Sequence, residues 1–158
     1  MHVLMAASLF LFALGAQEPD KRIRDLEKER GKLARENDPV DRTKLQIKIS
    51  EILLTLISDA VHGNDLAQME QRLTEYTAAI RDAHRTMMST GRDAHDKPKG
   101  FKDLEIALRR QVRQLEDLGG LLTFDVRDPV DRAKDEATAI RDDLMKALFG
   151  VQSAASGS

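Results

Sequence analysis

Two histidines and two methionines come closest to metal chemistry in this chain. His84, Met87 and Met88 lie in the run His84-Arg85-Thr86-Met87-Met88, and His95 follows between Asp93 and Asp96. Residues three and four apart share a helix face, so the His84 imidazole and a Met87 or Met88 thioether can point the same way. Imidazole with thioether is a ligand set that suits copper. The same letters also have a plainer meaning. Met87 falls on the apolar stripe of its segment, Met88 is beside it and His84 at its edge, and methionine is an adaptable core filler. The main expectation is therefore core and edge residues with no metal or other cofactor, and His84, Met87, Met88 and His95 stand as candidates for a copper site.

The common catalytic signatures are missing from the sequence. It has no phosphate-cradling glycine loop, nucleophile elbow, HExxH, haem attachment motif or EF-hand loop. An enzyme would have to use scattered carboxylates, and nothing in their spacing pairs an acid with a base. A non-enzymatic protein is expected. The 25 Lys and Arg nearly balance 27 Asp and Glu and are mixed along the chain, so there is no basic stripe for nucleic acid. Aromatic content of 4%, with no Trp, leaves few stacking platforms for single strands or sugars.

Val3 to Leu14 is an uncharged apolar run followed by Gly15-Ala16-Gln17 and a strongly charged segment. That is the layout of a secretory signal peptide, residues 1–16, although Met1-His2 supplies no Lys or Arg ahead of the run. The run is shorter than the roughly 20 residues a membrane-spanning helix needs. The chain is expected to be exported, periplasmic or secreted, with no stable membrane span after cleavage. It contains no cysteine, so packing alone must hold the fold.

Five segments follow the leader. Residues 20–36 are almost solid charge, with Ile23, Leu26 and Leu33 at helical spacing and Arg30 where another apolar residue is wanted. This predicts a thin helix, packed on the bundle or projecting from it, peripheral or frayed at Gly31, with a solvated charged face. Residues 39–61 are apolar on more than one side, as in a central helix touched by several neighbours. Gly63-Asn64 breaks the chain, and Leu66, Met69, Leu73, Tyr76, Ile80, Ala83 and Met87 then form a heptad seam within residues 64–88. So short a turn makes these two segments an antiparallel hairpin.

Residues 91–100 (GRDAHDKPKG) are a linker. Phe101, Leu104, Leu108, Val112, Leu115 and Leu118 mark a helix over 101–118, ended by Gly119-Gly120. The connection 121–127 carries Leu121, Leu122, Phe124 and Val126 and is expected to fold back on the bundle. Val130, Ala133, Ala137, Ile140, Leu144 and Ala147 mark a last helix over 129–149. Residues 151–158 read as a disordered tail.

Asp38-Pro39-Val40-Asp41-Arg42 recurs letter for letter as Asp128-Pro129-Val130-Asp131-Arg132. Asp as N-cap, Pro in the first turn and a second Asp at the positive end of the dipole make both copies helix starts. Between Lys44 and Ile80, the pattern Lys44, Lys48-Ile49, Glu51-Ile52-Leu53, the turn Gly63-Asn64-Asp65, then Leu66, Leu73 and Glu75-Tyr76 resembles the helical hairpin of a family of uncharacterised bacterial envelope proteins. The resemblance implies a bacterial, exported, helical protein and supplies no catalytic residue.

The expected fold is all-α, an up-and-down bundle of four main helices plus a charged N-terminal helix, spanning residues 17–150. The expected function is a structural or protein-interaction role in the bacterial envelope, with a protein partner or self-association through helical seams. A periplasmic copper-binding protein is the alternative.

Overall fold

The computed structural model describes residues 17–150 and is all-α. The predicted leader and tail lie outside the described residues. Helices α1 (Gln17–Leu33), α2 (Pro39–His62), α3 (Leu66–Met88), α4 (Phe101–Gly120) and α5 (Asp128–Phe149) are joined by short turns, the linker 89–100 and one 3-10 turn, Phe124–Val126.

Side-chain pairs fix the helix directions. Arg22 pairs with Asp59, Lys48 reaches Glu29 at 3.1 Å, and Arg42 Nη1 donates to the Leu33 and Glu36 carbonyls, so α1 runs antiparallel to α2. Down α2 and α4, Ser50 meets Gln111, and then Leu54, Ser58 and His62 line one groove with Gln114, Leu118 and Leu121; these helices are parallel neighbours. Arg81 meets Glu136 and His84 faces Asp143, so α3 and α5 are parallel neighbours too. The helices alternate in direction along the chain, but α4 is set diagonally across from α3 and touches it little. The linker carries the chain over that diagonal. It ends at Gly100, whose φ of +87° and closeness to Met87, 2.7 Å from Sδ to where a Cβ would stand, leave room only for glycine.

The core follows the predicted seams. Met69, Leu73, Tyr76, Ile80, Ala83 and Met87 of α3 are buried, as are Val130, Ala133, Ala137, Ile140 and Leu144 of α5. As expected of the central helix, α2 is packed by α1, α3 and α4. The α3 seam is thus closed within the chain.

Several expectations need correction. Of the two placements expected for the first helix it takes the packed one, and it does not fray at Gly31, which lies inside α1 with open space around it. Its contact stripe runs Leu26, Glu29, Leu33, with Glu29 buried and Arg30 beside it reaching Glu75 of α3, so the charged face is bonded to α2 and α3 rather than only solvated. Helix α3 begins at Leu66, after Asn64 takes a left-handed turn conformation (φ 52°) and Asp65 caps it. Gly119 and Gly120 end α4 as its last two residues, so the helix runs two residues beyond Leu118. The connection 121–127 folds back only in part: Leu122 and Val126 are half-buried, while Leu121 and Phe124 stand out in solvent.

The repeated pentapeptide starts two helices but is used differently. Asp38 is extended (ψ 126°), and its Oδ1 accepts the N–H groups of Val40 and Asp41 at 2.9 and 3.0 Å. Asp128 makes no cap. The 3-10 turn runs straight into α5, Arg127 is already helical (ψ −26°), and its carbonyl takes the Val130 and Asp131 N–H groups. With no extended residue at that point, a carboxylate has no way to swing back onto the first turn. Asp38→Ala should therefore cost about 1 kcal/mol and Asp128→Ala no more than about 0.5 kcal/mol. Urea unfolding of the two variants measures the difference, and equal losses would contradict it.

Candidate interaction surface

The structure gives each of the four copper candidates a different setting. Met87 is buried in the core with its sulfur against Gly100, whereas Met88, one residue on, is 47% exposed. His84 faces α5, its Nε2 buried, unbonded and 3.9 Å from Asp143 Oδ2. His95 sits in the linker, where Asp93 accepts its backbone N–H and its Nδ1 is 3.2 Å from the Leu148 carbonyl at the end of α5. Among the described residues no three His, Asp or Glu side chains cluster to hold a metal ion.

Sequence reasoning missed the buried polar groups. At the bundle centre the Tyr76 hydroxyl donates to Gln111 Oε1 at 3.0 Å, Gln111 Nε2 donates to Ser50 Oγ at 2.8 Å, and Ser50 Oγ donates to the Ile47 carbonyl at 2.7 Å. This relay joins α3, α4 and α2. Burial pushes the Tyr76 phenol well above its ordinary value. Between α4 and α5, the buried Glu105 accepts a two-pronged contact from Arg109 and a third bond from Arg141 at 3.1 Å. Under α1, the buried Glu29 takes Lys32 and Lys48 on Oε1 while its Oε2 has no partner. The Lys32 hydrogen bond holds the Glu29 carboxyl below its usual range against the opposing effect of burial. The signal was in the spacing: Glu29 lies three after Leu26 and four before Leu33, and Gln111 three after Leu108 and four before Leu115, both on the seam.

The surface offers two notable concavities. A groove of about 630 Å3 runs between α3 and α5, floored by Leu73, Thr77 and Ala133 and bridged by the ion pair of Arg81 with Glu136. A second, of about 380 Å3, lies between the last turns of α2 and α4 and is lined by Leu54, Leu118 and Leu121 with Ser58, His62 and Asp117 at its edge. A serine, a histidine and an aspartate at one groove suggest a nucleophile, but the geometry is wrong for it. His62 Nδ1 lies 2.7 Å from the Ser58 carbonyl, which can only accept, so that nitrogen carries the proton and cannot take one from the Ser58 hydroxyl 3.4 Å away. What the groove can offer is apolar contact with Leu54, Leu118 and Leu121; Leu121 is 61% exposed, and Phe124, three residues on along the chain, is 92% exposed.

No family model, curated protein or solved structure matches this chain. Among the described residues, no helix is long and apolar enough to cross a membrane.

Removing the Tyr76 hydroxyl strands the Gln111 carbonyl oxygen, so Tyr76→Phe should cost about 1–3 kcal/mol. Adding Gln111→Leu and Ser50→Ala should recover most of that loss; a further loss in urea unfolding would contradict the relay. Because the Glu29 pKa is lower in the folded chain than its ordinary 4.5, its contribution is complete above that value and fades as pH falls through the folded one. The stability gap between the protein and its Glu29→Gln variant should thus be wider at neutral pH than in acid, and a gap independent of pH would count against it.

Proposed function

We propose that this chain is an exported helical-bundle protein that works by binding rather than catalysis, as a structural or interaction component of a bacterial envelope. The apolar run from Val3 to Leu14 and the small residues after it support the address. The resemblance of the α2–α3 hairpin to envelope proteins points the same way.

One observation carries the binding role. The helical seams are closed inside the chain, yet Leu121, which lines an apolar groove, and Phe124, three residues on, both remain exposed. Paired large apolar side chains of this kind mark contact sites more often than single exposed ones do. Copper binding keeps one supporting observation, the unpartnered Nε2 of His84.

The test is a photo-crosslinking amino acid placed at Phe124 in cells, with the same group at exposed Ile106 for comparison. Adducts are expected from position 124 and far fewer from 106. No adduct at 124, or equal yields at both, would overturn the reading, and stoichiometric copper in the purified protein, lost on His84→Ala, would replace it. Mass analysis of the exported form should show a chain beginning near Gln17. A chain retaining residues 1–16 inside the cell would overturn the address.

A further inference from the structure

Independently of the binding role, we infer that the peptide bond between Asp128 and Pro129 is a self-cleavage site, hydrolysed in acid with the Asp128 carboxyl as nucleophile. The chain has two Asp-Pro bonds, Asp38-Pro39 and Asp128-Pro129, and both open the same five letters. Their local chemistry is alike, so the fold alone sets them apart.

Proline weakens such a bond in two ways. It has no N–H, so its nitrogen cannot attack the aspartate side chain and divert it into a cyclic imide. That nitrogen also carries one more alkyl carbon than an ordinary peptide nitrogen, which makes it more basic and a better leaving group. The reaction closes a five-membered ring. A side-chain oxygen of Asp128 bonds to the main-chain carbonyl carbon of the same residue, the C–N bond to Pro129 breaks, and the proline nitrogen leaves as a secondary amine with the carboxyl proton. Water then opens the cyclic anhydride, so that one piece ends at Asp128 and the other begins at Pro129, and the sum is the addition of one water. Because the carboxyl must bring its proton, the reaction runs in acid.

The fold engages one carboxyl and leaves the other alone. Oδ1 of Asp38 accepts the N–H groups of Val40 and Asp41 at 2.9 and 3.0 Å, and it must give them up before it can turn back on its own carbonyl carbon. Asp128 is exposed, and its side chain has no hydrogen-bond or ion-pair partner among the described residues. The N–H groups that would hold it, those of Val130 and Asp131, are taken by the Arg127 carbonyl. Nearby charges leave it free as well: Arg127 pairs with Asp131, and Arg81 across the α3/α5 groove pairs with Glu136. Pro129 lines that groove, which gives water access to the bond. A cut there parts α5 covalently from the other four helices.

The test holds the purified chain at the lowest pH at which circular dichroism still reports the fold and follows its fragments by intact mass. Pieces from Asp128-Pro129 should form about fivefold faster than pieces from Asp38-Pro39, which is the loss of one cap, about 1 kcal/mol, read as a rate. In guanidinium at the same pH the two bonds should be cut equally fast, because the letters around them are the same. Asp128→Glu should remove the first cut, folded or unfolded, since glutamate would have to close a larger ring. Equal rates in the folded chain, faster cutting at Asp38, or no cut at Asp128-Pro129 would overturn the inference. So would a preference that survives in guanidinium, or an Asp128→Glu variant cut as fast as the parent.

Discussion

The bond that the rest of the bundle depends on runs between α3 and α4, from Tyr76 to Gln111. These two helices are consecutive in the chain but diagonal in the bundle, and they have little direct contact through which to recognise one another. A dry bundle of leucines would pack almost equally well with one helix slid by a turn. A buried phenol, amide and hydroxyl would not, because each misplaced polar group loses its partner in a low-dielectric core. The relay through Tyr76, Gln111 and Ser50 is satisfied in one register, and it links the α2–α3 hairpin to the α4–α5 hairpin at mid-height.

The same logic at lower precision governs α1. Most of its ion pairs are solvent-exposed, and such pairs are worth little. Leu26 and Glu29 are different, both nearly fully buried against α2. A buried carboxylate that is only half satisfied makes a poor source of stability, but it penalises any other placement of the helix, since Lys48 of α2 meets it only here. Arg42 completes the attachment by bonding the last carbonyls of α1, so the first copy of the pentapeptide both caps α2 and closes α1. In the second copy, Arg132 lines the α3/α5 groove and has no helix end to close. Identical letters do unlike work because one copy opens on an extended residue, Asp38, and the other runs on from a 3-10 turn.

That contrast shows what was legible in the sequence. Helix number, the hairpin and the apolar seams of α3 and α5 follow from periodicity, because burial of Leu, Ile, Ala and Met needs no particular neighbour. The polar seam positions were harder. Val112 packs on the core as its spacing predicts and Arg30 reaches Glu75 of α3, but the fully buried positions beside them are Glu29 and Gln111, and these are set by partners on other helices: Lys48, Tyr76 and Ser50. The diagonal placement of α4 was illegible for a similar reason, since a linker of this length reaches a neighbouring or an opposite corner equally well.

The α4–α5 connection is where local and global demands part. Leu122 and Val126 tuck toward the core and so fix the path of the turn between them. With Leu122 and Val126 turned inward, Leu121 and Phe124 face water, and folding has no further means of covering them. A single exposed leucine would need no explanation, as folded surfaces are largely apolar. A phenylalanine almost wholly in solvent gives the folded chain nothing and exposes it to unwanted association, so the inward turn of this connection is won at the expense of its surface.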